Sequence, residues 1–432
     1  MVGFGTVGAG VAKLCLEDAD AIAAKMGVRP ELACVVDTDT TRPRPIQLPP
    51  GVLTTDLNRL LNDPSISIGV ELVGGTGIAK EIQFKMLRAG KDVVTANKAL
   101  LATHGNELYH VARENRRCIA FEASCVGGVP IIGAIRTGLA ANQINAMYGI
   151  VNGTCNYILS NMSSKEEKFS QALAKAQKRG FAEADPTLDI SGGDSAHKLA
   201  ILASIAFGWE IAMEDVFVEG IDGIAKEDLR YGREMGYRLK LLAIAQRSAD
   251  GRLSLRVHPA FISAETALAR VEGSFNAISV FGSAVGETLY YGRGAGMMPT
   301  ASAVLADVID VALGNSQRTF NHLRLRPRAE IKPFIEPIGE IVTRFYIRVM
   351  AKDEPGVVAK YGKILADHQI SISGALQHEG TGPGDTVPVV ITTHRTQEKN
   401  MTEALAELKK IDIISGKPVC VRIVDIPQDK DA

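Results

Sequence analysis

Through its first third the chain alternates short Val- and Ile-rich runs, at 32–36, 68–72, 92–95 and 118–122, with amphipathic segments of helical period. Apolar runs of that length read as strands buried on both faces, and helical segments between them read as crossovers, so the pattern predicts a parallel sheet. Ligands of open α/β sheets bind at the carboxyl ends of the strands. The residues that follow each run therefore come under scrutiny first.

The rest of the chain has a different character. At 432 residues it exceeds what one hydrophobic core usually supports, and two or three domains are expected. Residues 151–207 read as mainly helical, broken by a loop around Asp185-Pro186 and Gly192-Gly193. The segment 321–337 is crowded with Arg, Pro and Lys without apolar periodicity and reads as part of a linker spanning 315–342. Beyond it, strand 343–350, helix 357–368, strands 370–377 and 387–392, helix 399–409 and strand 419–424 spell a βαββαβ module over 343–426. No tandem repeat or low-complexity tract occurs.

A formal net charge of -1 supplies no long-range field toward nucleic acid or an anionic membrane, so a small metabolite is the expected partner. The six cysteines, Cys15, Cys34, Cys118, Cys125, Cys155 and Cys420, show no CxxC spacing and read as reduced thiols. No charged segment followed by an apolar run opens the chain, and the apolar stretch 199–207 is too short to span a bilayer, so a soluble, cytoplasmic protein is expected. On that footing the triplets at Asn152, Asn161 and Asn400 are not glycosylation sites.

The first motif with chemistry is Gly3-Phe-Gly5-Thr-Val-Gly8. Glycines at this spacing allow a tight turn, close approach of backbone to a pyrophosphate, and packing of helix on strand, and the helix from Thr6 would aim its positive end at the phosphates. GxGxxG alone is a weak signal. A helix and an apolar strand ending in Asp37 strengthen it, since that carboxylate can accept from a ribose hydroxyl and favour NAD, whereas the neighbouring Arg42 and Arg44 could hold the 2′-phosphate of NADP. Only Met1 and Val2 precede Gly3, fewer than the roughly five residues of an ordinary strand, which predicts a truncated N-terminus with an apolar strand encoded upstream.

Two further strand ends carry polar residues. Val93-Val-Thr-Ala-Asn-Lys98 places Lys98 where it could reach substrate or the nicotinamide ribose, or simply lie in a solvated loop. Glu122-Ala-Ser-Cys-Val-Gly-Gly-Val-Pro130 could turn carbonyls toward a hard monovalent cation or act as a domain hinge, the hinge being the plainer reading. The densest constellation runs from Gly180 to Lys198, with Glu183, Asp185, Asp189, Asp194 and Lys198 in 19 positions. In a helix starting near Asp194, Asp194 and Lys198 stand one turn apart on one face, which suits proton transfer to a carbonyl under reduction. A helix cap, an i,i+4 pair and an Asp-Pro turn would account for part of this, Asp185 above all. Glu183, Asp189 and Asp194 crowded around a glycine turn repel one another and call for a cationic ligand such as an amino-acid ammonium.

These residues resemble the homoserine dehydrogenases, over almost the whole chain. The stretch Ala176-Gln-Lys-Arg-Gly180 through Asp185-Pro186, Asp189-Ile190, Gly192, Asp194 and Lys198 fits that family's pattern at every fixed position. Thr95-Ala-Asn97-Lys98 resembles its cofactor and substrate lysine, Ile150-Val-Asn152-Gly153-Thr154-Cys-Asn156-Tyr its cleft lining, and Gly292-Arg-Gly294-Ala-Gly296-Met-Met-Pro299 the loop returning to the cofactor. The resemblance implies reversible reduction of aspartate semialdehyde to homoserine with NADPH or NADH. It implies Lys198 as proton donor, Asp194 and Lys98 beside it, and Glu183, Asp189, Asp194, Gly153 and Thr154 around the substrate. It places Gly3, Gly5, Thr6, Val7, Gly8, Lys98, Gly180 and Gly296 on the cofactor. It also implies a sodium-like site at Glu122, Cys125, Gly127 and Val129, mainly through backbone oxygens, with Cys125 replacing a usual valine.

The C-terminal module resembles the ACT domain, with Asp353-Glu-Pro-Gly356 at its first turn, and that resemblance implies threonine as allosteric ligand, a module that merely dimerises being the open alternative; a homodimer or homotetramer is the expected assembly. The implied architecture is a Rossmann-like dinucleotide-binding domain over 1–128, rejoined by helix 300–314, an α+β substrate and dimerisation domain over 129–299, and the ACT domain. Two other readings stay open: an ACT-bearing dehydrogenase for a hydroxy acid or prephenate, which should carry a His-centred site, and a non-enzymatic amino-acid sensor.

Overall fold

Met1 and Val2, directly before the glycine loop, occupy the middle of a parallel sheet. Val2 N–H donates to Val70 O at 2.7 Å and Leu72 N–H to Val2 O at 2.8 Å, while Val36 N–H reaches Met1 O at 2.8 Å and Gly3 N–H reaches Val36 O at 2.9 Å. These bridges join Val35–Val36 and its neighbour Leu53–Thr54 to Ile68–Glu71, Asp92–Thr95 and Ile119–Ala120. Numbered from the N-terminus, the order is 3-2-1-4-5-6, that of a dinucleotide-binding doubly wound sheet. The strands expected at 32–36 and 118–122 shorten to two residues each, and Glu122–Ser124 forms a single 3₁₀ turn.

This computed structural model describes residues 1–248, 250–323, 325, 333–378, 386–412 and 414–427. The chain divides into two compact units, one of Met1–Asn145, Asp194–Val216 and Phe275–Pro333, the other of Ala146–Gly193, Phe217–Ser274 and Phe334–Ala432. In the first, helices Ile78–Arg88 and Lys98–Glu114 pack on the parallel sheet, and helix Met297–Ala312 returns to lie on Thr6–Glu17. A Cβ at Gly10 would come within 2.8 Å of the Ala301 Cβ, so this glycine sets the close approach of the two helices. The segment read as a linker opens with helix Asn315–His322, and its residues 324 and 326–332 lie outside those described. Among the described residues no single helix is long and apolar enough to cross a membrane.

The second unit is built on one sheet in the order Ile144–Ile150, Tyr237–Arg247, Leu253–Ser263, Ile414–Ile423, Val342–Lys352, Thr386–Thr393, Ile372–Gln377. Its last four strands, with helices Val357–Asp367 and Glu398–Leu408, make the expected βαββαβ module around a core that includes Phe345, Ile347, Tyr361, Leu365, Met401 and Leu408. The module is not separate in space. Ile414–Ile423 pairs in parallel with Leu253–Ser263 at Arg422↔Ala260 and Ile423↔Phe261. A buried ion pair reinforces the junction: Asp228, on helix Lys226–Glu234, accepts from Arg348 Nε at 2.6 Å and Nη2 at 3.1 Å and from the Tyr346 hydroxyl at 3.1 Å.

Candidate active site

The glycine loop sits at the point where the strand order reverses. Gly3 has φ +97°, and a Cβ there would lie 2.8 Å from the Leu72 carbonyl carbon, while one on Gly8 would lie 2.3 Å from the Gly3 oxygen. Gly5 meets nothing within 4 Å, and the helix Thr6–Glu17 that it caps has no side-chain cap, leaving the first-turn amides of Thr6, Val7 and Gly8 for an outside anion. The adjoining cavity, about 490 Å3, is bordered by Gly3, Gly5, Asp37, Thr38, Leu72 and Lys85. A pyrophosphate-bearing nucleotide fits a loop built in this way.

Asp37 and Arg44, between which the sequence left the cofactor open, are joined. Asp37 Oδ2 accepts Phe4 N–H at 2.6 Å, Oδ1 accepts Asp39 N–H at 2.9 Å, and Arg44 Nη2 stands 3.4 Å from Oδ1. The guanidinium also donates to the carbonyls of Phe4 (2.8 Å), Arg42 (3.0 Å) and Asp39, and it stacks 4.7 Å from the Phe4 ring centroid. Arg44 is thus tied into the loop, and its charge neutralises Asp37.

The two lysines meet at one carboxylate. Lys98 opens helix Lys98–Glu114 directly after strand Asp92–Thr95, and Asp194 and Lys198 share a face of helix Gly193–Phe207. Lys98 Nζ lies 2.9 Å from Asp194 Oδ1 and Lys198 Nζ donates to Oδ2 at 2.6 Å. Burial opposes ionisation of Asp194, but Lys198 and then Lys98 more than offset it and hold the carboxyl well below its usual range. Two lysine ammonium groups on one buried carboxylate gather positive donors at a single point, an arrangement able to stabilise an oxygen becoming an alkoxide. The adjacent His197 is held below its usual pKa by burial, so its ring is neutral near pH 7.

The second unit carries the other predicted residues. Asn152 caps helix Gly153–Lys165 through Cys155 N–H and donates from Nδ2 to Asp189 Oδ1 at 2.8 Å. Cys155 Sγ reaches Asp189 O at 3.2 Å, and the Thr154 hydroxyl donates to Phe181 O at 2.6 Å. Gly180 turns the chain with φ +72°, Glu183 is exposed, and Asp185 makes the expected turn, accepting Thr187 N–H at 3.0 Å. Asp189 and the Asn152 motif are therefore brought together. Back in the first unit, Gly296 (φ +120°) heads helix Met297–Ala312, and Gly128 N–H donates to Arg293 O at 3.0 Å.

Around the implied cation positions, Val126 and Gly127 have φ +57° and +44°, which turns the chain sharply between Cys125 and Val129. The Glu122 carboxylate accepts the amides of Ile132 and Gly133 at 2.8 and 2.7 Å, and the Cys125 thiol faces Lys198 O at 3.9 Å, which leaves main-chain carbonyls as the available donors. Among the described residues no cluster of three His, Cys, Asp or Glu side chains is placed to hold a metal ion.

Sequence reasoning passed over Glu71. It is wholly buried and accepts five hydrogen bonds: from Val73 and Gly74 N–H (2.7 and 3.1 Å) at Oε1, and from Gln83, the Thr95 hydroxyl and Asn97 (2.8, 2.9 and 3.5 Å) at Oε2. It thereby fixes Asn97, the cap that sets where Lys98 begins its helix. The available signal was a carboxylate inside an otherwise apolar run.

A doubly wound sheet of order 3-2-1-4-5-6, a phosphate-ready glycine loop and a lysine pair on a buried carboxylate define a nicotinamide-dependent oxidoreductase. The family signatures agree: "Homoserine dehydrogenase, NAD binding domain" matches residues 3–122, "Homoserine dehydrogenase" matches 130–309, and "ACT domain" matches 345–412. Homoserine dehydrogenase of Pseudomonas aeruginosa is 43% identical over 98% of this chain and 97% of its own, and that of Neisseria gonorrhoeae 41% identical over 97% and 96%. The crystal structure of a homoserine dehydrogenase from Thiobacillus denitrificans superposes with a TM-score of 0.88 at 40% identity, covering 98% of this chain and 97% of that one. The chain belongs to the homoserine dehydrogenase family.

Proposed function

We propose that the protein catalyses the reversible NAD(P)H-dependent reduction of L-aspartate 4-semialdehyde to L-homoserine, a step toward threonine, methionine and isoleucine, and that it does so in the cytoplasm. The observation that carries this reading is Asp194 held between Lys98 and Lys198. The bound nicotinamide supplies the hydride. Lys198 protonates the developing alkoxide, Lys98 polarises or positions it, and Asp194 keeps both ammonium groups in place. Glu183 and Asp189 hold the substrate ammonium, with Gly153 and Thr154 beside them; the Asn152 hydrogen bond to Asp189 supports this by fixing that carboxylate. Gly3, Gly5, Thr6, Val7, Gly8, Gly180, Lys98 and Gly296 serve the cofactor.

A hard monovalent cation such as sodium would be held by main-chain oxygens at Glu122, Cys125, Gly127 and Val129, since oxygen donors suit such ions. Threonine is the proposed feedback ligand of the ACT domain, and a homodimer or homotetramer the proposed assembly. The deciding assay is homoserine oxidation with NAD and with NADP, each with and without threonine. Lys198→Ala is expected to cut turnover more than about tenfold while cofactor still binds in titration, and near-normal turnover would overturn the assignment.

A further inference from the structure

Strand Leu253–Ser263 offers one edge to two partners. Phe217–Val218 pairs with it in parallel at Arg256 and Val257, and the last strand of the C-terminal module, Ile414–Ile423, pairs in parallel further along at Ala260 and Phe261. Arg422 spans from the second partner to the residue that follows the first. Its Nε and Nη2 grip the Glu398 carboxylate at 2.8 and 2.6 Å, and its Nη1 donates to Glu219 Oε2 at 2.7 Å. The partly buried pair with Glu398 lies inside the module and occupies two of the three guanidinium nitrogens. The arm to Glu219 is additional, and it crosses out of the module.

Glu219 leads straight into the backing of Asp189. A Cβ on Gly220 would lie 2.3 Å from the Ile190 oxygen, so only glycine permits the two backbones to approach this closely. Ile221 N–H donates to that same oxygen at 2.9 Å. From the opposite side Asn152 and Cys155 hold Asp189 itself. The short helix Thr187–Ile190 is thus clamped between the cap of helix Gly153–Lys165 and the 219–221 segment, and the second jaw is tethered to the C-terminal module through Arg422.

We infer that Arg422 and Glu219 are positioning residues for the substrate: the C-terminal module sets where the 219–221 segment lies, and through the contact of Gly220 and Ile221 with Ile190 it sets the reach of Asp189 toward the substrate ammonium. The inference rests on Asp189 as an ammonium holder, and it makes the module part of the substrate site even before any effector binds. A change in the module's last strand is then felt at homoserine affinity and leaves the nucleotide site alone.

The test uses the full chain, with homoserine and cofactor varied separately for Glu219→Gln, Glu219→Asp and Asp189→Asn. Glu219 is half-exposed, so its amide variant takes the charge out of the arm and weakens it without burying an unpaired charge. Glu219→Gln is expected to raise the KM for homoserine about fivefold, the low end of measured site-to-site couplings, with kcat and cofactor KM within about twofold of the parent. Glu219→Asp should recover most of the loss. An unchanged homoserine KM in Glu219→Gln, beside a raised one in Asp189→Asn, overturns the positioning role and leaves Asp189 standing. An unchanged KM in Asp189→Asn removes the ammonium assignment and the inference with it. A loss in Glu219→Gln that falls equally on kcat and both KM values also overturns it, because that is the mark of a merely structural pair.

Discussion

Asp194 is the residue on which charge and stability meet. Its carboxyl is depressed in the folded chain and ordinary, near 3.8, when unfolded. A group of that kind binds fewer protons when folded, so it adds stability above its unfolded pKa and loses it as the pH falls below. The urea-midpoint stability gap between the parent and Asp194→Asn is therefore expected to narrow by about 1 kcal/mol between pH 7 and pH 3; a constant gap would mean that the lysines do not stabilise the ionised form. Arg44 is placed to act on cofactor selectivity through charge as well. Bonded into its loop and 3.4 Å from Asp37, it masks a charge that would repel a 2′-phosphate. Arg44→Met should raise the KM for NADPH at least about tenfold more than that for NADH, and an equal effect on both would reduce Arg44 to a loop brace.

Among the elements, the glycine loop separates two kinds of glycine. Gly8 is required by the fold, because a methyl there would strike the Gly3 carbonyl, whereas Gly5 has ordinary φ and open space around its missing Cβ. Gly8→Ala should lower the melting temperature by at least about 2 °C, of the order a 1 kcal/mol loss produces in a domain of 150–250 residues. Gly5→Ala should leave melting unchanged yet weaken cofactor binding about tenfold or more, since the backbone must come close to the phosphates. Unaltered cofactor affinity in Gly5→Ala would move the pyrophosphate away from this loop.

For the molecule as a whole, the C-terminal module shares a sheet and a buried ion pair with the elements before it. Removing one partner of such a pair leaves the other charge stranded, so Arg348→Met should cost about 3–5 kcal/mol, and Asp228→Leu combined with Arg348→Met should recover much of that loss. Urea titration of both variants checks it. If the single change were silent, the pair would contribute nothing to seating the module. Feedback by an amino acid bound in this module would have a rigid connection on which to act, and threonine titration in the kinetic assay measures whether it does.

Legibility followed locality. The βαββαβ order, the strand before Lys98 and the Asp194/Lys198 spacing could all be read along the chain, because period, turn chemistry and i,i+4 geometry are set within a few residues. Strands Tyr237–Arg247 and Leu253–Ser263 were not anticipated: the second is buried along ten of its eleven residues, and a strand covered on both faces loses the alternation that announces it. Glu71 stayed hidden because its partners come from three separate segments. Amino-acid order alone thus determined the elements of the C-terminal module, the strand before Lys98 and the family pattern. Only the folded chain decided that Met1 and Val2 pair with strands on both sides, that Lys98 joins Asp194 across 96 positions, and that Arg422 reaches Glu219, since each depends on contacts between residues that no local rule brings together.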